Sequence, residues 1–310
     1  MARPLLFFAV LVVVAPVPFV SGQEAPAADA PPWVHYEYGT YLFEEGDHGG
    51  ALVSFRRALA AGYPEAEMGI GMVHVADGDL VLGRINLEAA LDKASTFDVR
   101  NHRYTILYQL ADVAFLEGDD NAYQTTLQRI TAEDPAFASQ DADRQRQRYI
   151  EQLEQPDQTT GIDGLLTLFR QDEGYFARDA HRRLGVHFAR LGQDNSALNH
   201  LLAVLLKVVT KTVDEIRSFY VEYQYTTLED LIATAARRED AYDYLQRTRF
   251  VEVLYWLGEV LYFRSDQETT REEARRLFRL LAGGDPAFVG DFRFRAQAQL
   301  DDPQRTVRPE

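Results

Sequence analysis

The chain has 310 residues, 46% of them hydrophobic and 26% charged, which is enough apolar content to bury a sizeable core. It has no cysteine, so disulfides, thiolate metal sites and cysteine nucleophiles are excluded. With 48 acidic against 32 basic residues the formal net charge is −16, a surface that repels phosphate backbones and argues against nucleic acid as a partner.

Residues 1–22 read as a secretory signal. Arg3 and the amino terminus supply the positive start, and Leu5–Ala15 is an unbroken apolar run. Pro16 and Pro18 break the helix, and Val20-Ser21-Gly22 offers an acceptable cleavage site. The apolar run falls short of the ~20 residues needed to span a bilayer, which weighs against a retained anchor. The expectation is a soluble chain in the periplasm or extracellular space, beginning near Gln23 and one unit more negative through loss of Arg3. Residues 23–32 form an Ala/Pro-rich linker.

After Pro32 the apolar residues recur with helical period, and no strand-like alternation is seen. Tight turns punctuate the helices with the same letters: Gly46-Asp47, Gly78-Asp79, Gly118-Asp119 and Gly192-Gln193. A fifth turn, in "FRSDQETT", is longer and lacks glycine. Each repeat is helix, turn, helix, about 34 residues long. The string DPAF closes two of them, at Asp134–Phe137 and Asp285–Phe288, where Asp can cap and Pro can open the next helix.

Small and large residues recur at fixed places within these repeats. The first carries Gly39, Ala51, Phe55, Ala58 and Pro64; the second Gly71, Gly83, Leu87 and Ala90; the third Leu110, Ala111, Leu127 and Pro135. The fourth carries Leu184, Gly185, Phe188, Ala197 and Leu201, and the fifth Leu257, Gly258, Ala274, Phe278 and Pro286. This pattern resembles the tetratricopeptide repeat (TPR) over about 165 residues. The resemblance implies an all-α fold, a TPR-like α-solenoid in which antiparallel helix pairs stack as a right-handed superhelix. A lone pair cannot bury both faces, so repeats must stack.

The expected organisation is three repeats over 33–135, a diverged helix pair over 136–173, a fourth repeat over 174–209 and further diverged helices over 210–247. A fifth repeat and a capping helix follow over 248–300, and 301–310 is expected to fray. Thr212, Thr226 and Thr270 each stand three residues before a Glu and read as capping boxes opening helices.

The residues carry little chemistry. The seven histidines match no metal spacing; only His187 and His200 are placed to approach, and two residues make no zinc site. "GIG" at Gly69–Gly71 has no strand before it, so it reads as helix packing. No nucleophile elbow or phosphate loop occurs, and no metal, cofactor or catalytic role is expected.

The resemblance places partner contacts on the first helix of each repeat. Carried onto this chain, those positions are Tyr36, Thr40 and Phe43, then Met68 and Met72, then Tyr108, Asp112 and Phe115. In the later repeats they are Arg182, Tyr255, Glu259 and Tyr262. Met68 and Met72 are the only methionines besides the initiator and stand one turn apart, as an adaptable apolar groove would have them. The alternative place for such side chains is the core. The leading expectation is a non-catalytic exported scaffold or adaptor in the cell envelope. Its groove would take a protein or peptide with apolar anchors and some basic residues. A small-ligand-binding or transporter-accessory protein is the alternative.

Overall fold

The computed structural model describes residues 25–133 and 176–306. All regular secondary structure among them is helical. Backbone contacts divide the chain into two compact units, Met1–Thr126 and Leu127–Glu310.

The first unit holds α1 (Pro32–Glu44), α2 (His48–Ala60), α3 (Ala66–Ala76), α4 (Leu80–Lys93) and α5 (His102–Glu117), and the start of α6 (Asp120–Thr131). Its turns share one hydrogen-bond pattern. Gly46, Gly78 and Gly118 take φ of 81°, 83° and 75°, a left-handed conformation that glycine adopts without steric cost. At Gly46 the glycine N–H donates to Phe43 O and the following Asp47 N–H donates to Leu42 O. Gly78-Asp79 and Gly118-Asp119 repeat both bonds, so each turn closes its first helix in the same way. Each Asp then caps the next helix: Asp47 accepts from Gly50 N–H, Asp79 from Leu82 N–H and Asp119 from Ala122 N–H. One Gly-Asp dipeptide thus ends one helix and begins the next.

Within each pair the helices approach where the sequence places a small residue. A Cβ on Gly71 would lie 2.8 Å from Leu87 Cγ and 3.1 Å from Leu87 N. Phe55 fills the space left by two glycines, Gly39 on its own pair and Gly69 on the next. Pairs then stack, α2 on α3 and α4 on α5. The core between them contains Phe55, Ile70 and Val73 at one level and Met68, Leu87, Phe97 and Ile106 at the next.

The second unit, as described, holds α7 (Phe176–Arg190), α8 (Asp194–Arg217), α9 (Leu228–Ala235), α10 (Glu239–Arg247), α11 (Phe250–Arg264), α12 (Glu268–Ala282), α13 (Pro286–Val289) and α14 (Phe292–Asp301). The α7–α8 turn repeats the pattern of the first unit: Gly192 has φ 69°, its N–H donates to Ala189 O, and Gln193 N–H donates to Phe188 O. Gly185 meets Leu201 as Gly71 meets Leu87, at 2.7 Å from Cγ and 3.3 Å from the backbone N.

Three sequence expectations change here. The fourth repeat does not stop near residue 209: α8 runs on to Arg217 as one 24-residue helix. It is long and apolar enough to cross a membrane, but much of it is buried against α7, α9, α10 and α11, as a core helix would be. Helices α9 and α10 do form a pair, yet not a link in the stack. α11 packs directly on α7 and α8, and the short α9–α10 hairpin rests against α8 and α11. Finally, none of the three threonines opens a helix. Thr212 lies inside α8, its hydroxyl donating to Val208 O, and Thr270 lies inside α12. The residue next to Thr226, Thr227, is the cap of α9 and accepts from Asp230 N–H.

At the end of this unit α12 packs on α14, which therefore occupies the place of a next first helix and serves as the cap. The second DPAF opens α13: Asp285 accepts from Ala287 N–H and Pro286 takes the first helical position. The first DPAF, the signal segment and the diverged pair at 136–173 lie outside the described residues.

Candidate functional site

The first-helix positions of the first unit are mostly taken up by packing. Met68 and Tyr108 are core residues, 3% and 5% exposed. Met72 packs half-buried against the same core. Tyr36 is wedged between the rings of Phe55 and Tyr63, at 5.6 and 5.2 Å. Thr40 donates its hydroxyl to Tyr36 O, and Phe43 stacks on His48. Asp112 is half-buried and Phe115 is exposed, its ring 5.5 Å from Tyr123. Met68, expected to line a groove, instead fills the seam between successive helix pairs, and Tyr108 is buried as well.

That seam also contains a polar cluster. Glu65 is fully buried, and its Oε1 accepts from Val99 N–H at 3.0 Å. His102 Nδ1 lies 3.4 Å from the same oxygen without hydrogen-bond geometry, and Glu65 Oε2 has no partner among the described residues. Burial, then the Glu65 charge, push the Tyr36 phenol far above its ordinary value. Burial lowers the His102 pKa, with the Glu65 charge opposing. An acid, an imidazole and two phenols could move protons, but Glu65 has no exposed surface to offer a substrate.

The second unit is arranged differently. Arg182 is buried in an ion network, at 2.7 Å from Asp179 and 2.6 Å from Glu252, and Arg183 joins Asp179 at 2.6 Å. Burial alone would raise the Asp179 pKa. The charges and hydrogen bonds of Arg182 and Arg183 outweigh it and hold the carboxyl well below the usual range. The close histidine pair is His181 and His200, with Nδ1 atoms 2.8 Å apart, in place of the expected His187 and His200. No group of three metal-ligating side chains occurs among the described residues.

The most developed site is the face of α11 carrying Tyr255, Glu259 and Phe263, four residues apart and so aligned along one side of the helix. Residues 302–306, expected to fray, lie against this face. Gln304 and Gln299 of α14 form a reciprocal pair: Gln304 N–H donates to Gln299 Oε1 at 3.0 Å, and Gln299 Nε2 donates to Gln304 O at 2.5 Å. Thr306 N–H donates to Glu259 Oε1 at 2.6 Å, and the Thr306 hydroxyl lies 3.3 Å from the Tyr255 hydroxyl. Arg305 donates two bonds to Asp194, at 2.7 and 2.8 Å, with its guanidinium 5.1 Å from the Phe263 ring.

Asp194 is available for a local reason. In the other tight turns the residue after the glycine is an Asp that caps. Here it is Gln193, which makes no side-chain cap, and the acid stands one place later. The carboxylate therefore sits in the first turn of α8, where the helix dipole favours it, and is left to bind Arg305.

The structure thus brings Tyr255 and Glu259 together at one site. Tyr262, expected beside them, turns towards α12 and packs against Arg271 and Arg275. Asp194, Phe263, Gln299 and Arg305 were missed. The displaced acid in the fourth turn was the one visible signal for Asp194. No protein-family model and no curated protein matches this chain.

Proposed function

We propose that the chain is an exported TPR-type scaffold, without catalysis of its own, that binds a protein or peptide along the first helices of its repeats. The observation that carries this reading is the segment 304–306 on α11. A stretch of chain is already held there: its Thr306 N–H and hydroxyl lie on Glu259 and Tyr255, two of the repeat positions that such arrays use for partners, and its Arg305 is held by Asp194 beside them. The acidic balance of the chain favours a partner with basic residues and apolar anchors. The apolar positions still accessible in the first unit, Met72 in part and Phe115, suit the same kind of ligand.

The test is affinity capture from a cell-envelope extract with the chain from Gln23 as bait. The expected result is a retained protein that elutes progressively with salt and is lost from a folded Met72→Ala plus Phe115→Ala double variant. Retention of no protein, with a small molecule carried by the purified chain in native mass spectrometry, would overturn the reading in favour of a small-ligand binder.

A further inference from the structure

The α11 site is incompletely satisfied by its occupant. Glu259 is only 2% exposed, yet Oε2 has no hydrogen-bond partner among the described residues; the tail gives Oε1 a single backbone N–H. A buried carboxylate oxygen without a donor is costly. Arg305 has further N–H groups, but the bonds it makes go to Asp194 and none reaches Glu259 Oε2.

We propose that the face formed by Asp194, Tyr255, Glu259 and Phe263 is a recognition site for an extended peptide bearing an arginine, held by residues 304–306 of the chain itself until such a partner displaces them. This rests on the peptide-binding reading above and adds to it the ligand chemistry and a built-in competitor. The two parallel bonds to Asp194 and the nearby aromatic ring match the planar fork of a guanidinium. A lysine ammonium offers neither that fork nor its stacking. A partner that satisfies Asp194 and also donates to Glu259 Oε2 makes a bond the tail leaves unmade, and this is the source of its advantage. It must overcome a tethered rival acting at an effective concentration on the order of millimolar.

The probe is a fluorescent peptide of residues 301–310, DDPQRTVRPE, titrated by fluorescence polarisation. Its targets are the intact chain from Gln23 and the same chain ending at Asp301. The truncated chain should bind at least tenfold more tightly than the intact one. Arg305→Lys in the peptide, or Asp194→Asn in the truncated chain, should cost about fivefold. Should truncation disturb folding, Arg305→Ala in the intact chain releases the same clamp and should admit the peptide. Equal binding to intact and truncated chains overturns the proposal. So does no binding to a truncated chain that melts cooperatively, or indifference to Arg305→Lys. If the peptide fails while envelope capture through Met72 and Phe115 succeeds, the tail inference falls and the scaffold reading stands. If capture retains no protein, the scaffold reading itself falls.

Discussion

The same repeat position has opposite fates in the two units. On α3 and α5 it carries Met68 and Tyr108, both buried, Met68 in the seam with the neighbouring helices. On α11 it carries Tyr255, equally hidden from solvent but hidden in part by residues of the tail. The register of a repeat decides which way a side chain points. What lies on top of it is decided by the next element in space, and a segment without regular structure can take that role as well as a helix.

The largest effect expected from breaking this comparison is at the close helix contacts. Gly71 and Gly185 occupy equivalent places, and a side chain at either meets both a leucine side chain and its backbone. Leu at either glycine should cost about 3 kcal/mol through overpacking. Thermal melts of the two variants should show similar losses. A loss at one and none at the other would break the equivalence of the units.

A smaller loss is expected at the ion network peculiar to the second unit. Asp179→Ala removes the carboxylate that Arg182 and Arg183 share. Breaking a fully buried pair costs about 3–5 kcal/mol, but Asp179 is partly exposed and Arg182 keeps Glu252, so about 2 kcal/mol is expected from denaturant titration.

Acid should separate the units further. His102 in the first unit has a lowered pKa in the folded state, so below its ordinary value of 6.5 the unfolded chain binds protons that the folded chain refuses. Its contribution to stability should fall as pH drops from about 6.5, and His102→Phe should flatten that slope. Asp179 also has a lowered folded pKa, but from the ordinary carboxyl value of 3.8, so its stabilisation persists above that pH and is lost only in stronger acid. Urea titrations between pH 7.5 and about 2.5 would check both. A slope that begins only near pH 4 would contradict the role given to His102.

The smallest effect on stability should come from Arg305→Ala. Its pair with Asp194 is partly solvent-exposed, and such pairs contribute about 1 kcal/mol or less. The melting temperature should barely change, while amide exchange at Gln304 and Thr306 should accelerate strongly. Unchanged exchange would show that the tail is held by something other than the clamp.

Much of the fold could be read from the sequence because it rests on short-range chemistry. The Gly-Asp turns and the glycines opposite Phe55, Leu87 and Leu201 act over one helix pair, and their letters recur. The α9–α10 hairpin could not be placed, since its helices are as amphipathic as any repeat; only the direct packing of α11 on α7 and α8 shows that it stands aside. The site was half legible. Tyr255 and Glu259 follow from register, but choosing Tyr262 over Phe263 needed the orientation of one turn. The partnership of Arg305 with Asp194 joins residues 111 apart in sequence, where no local pattern reaches.

Site-specific photo-crosslinking tests the central claim most directly. A benzophenone amino acid would be placed at Phe115 and Phe263, on first helices, and at the exposed Val53 and Val81, on second helices. The account predicts that the partner recovered from the envelope is crosslinked from Phe115 or Phe263 and not from Val53 or Val81. Crosslinks from the valines alone would contradict it.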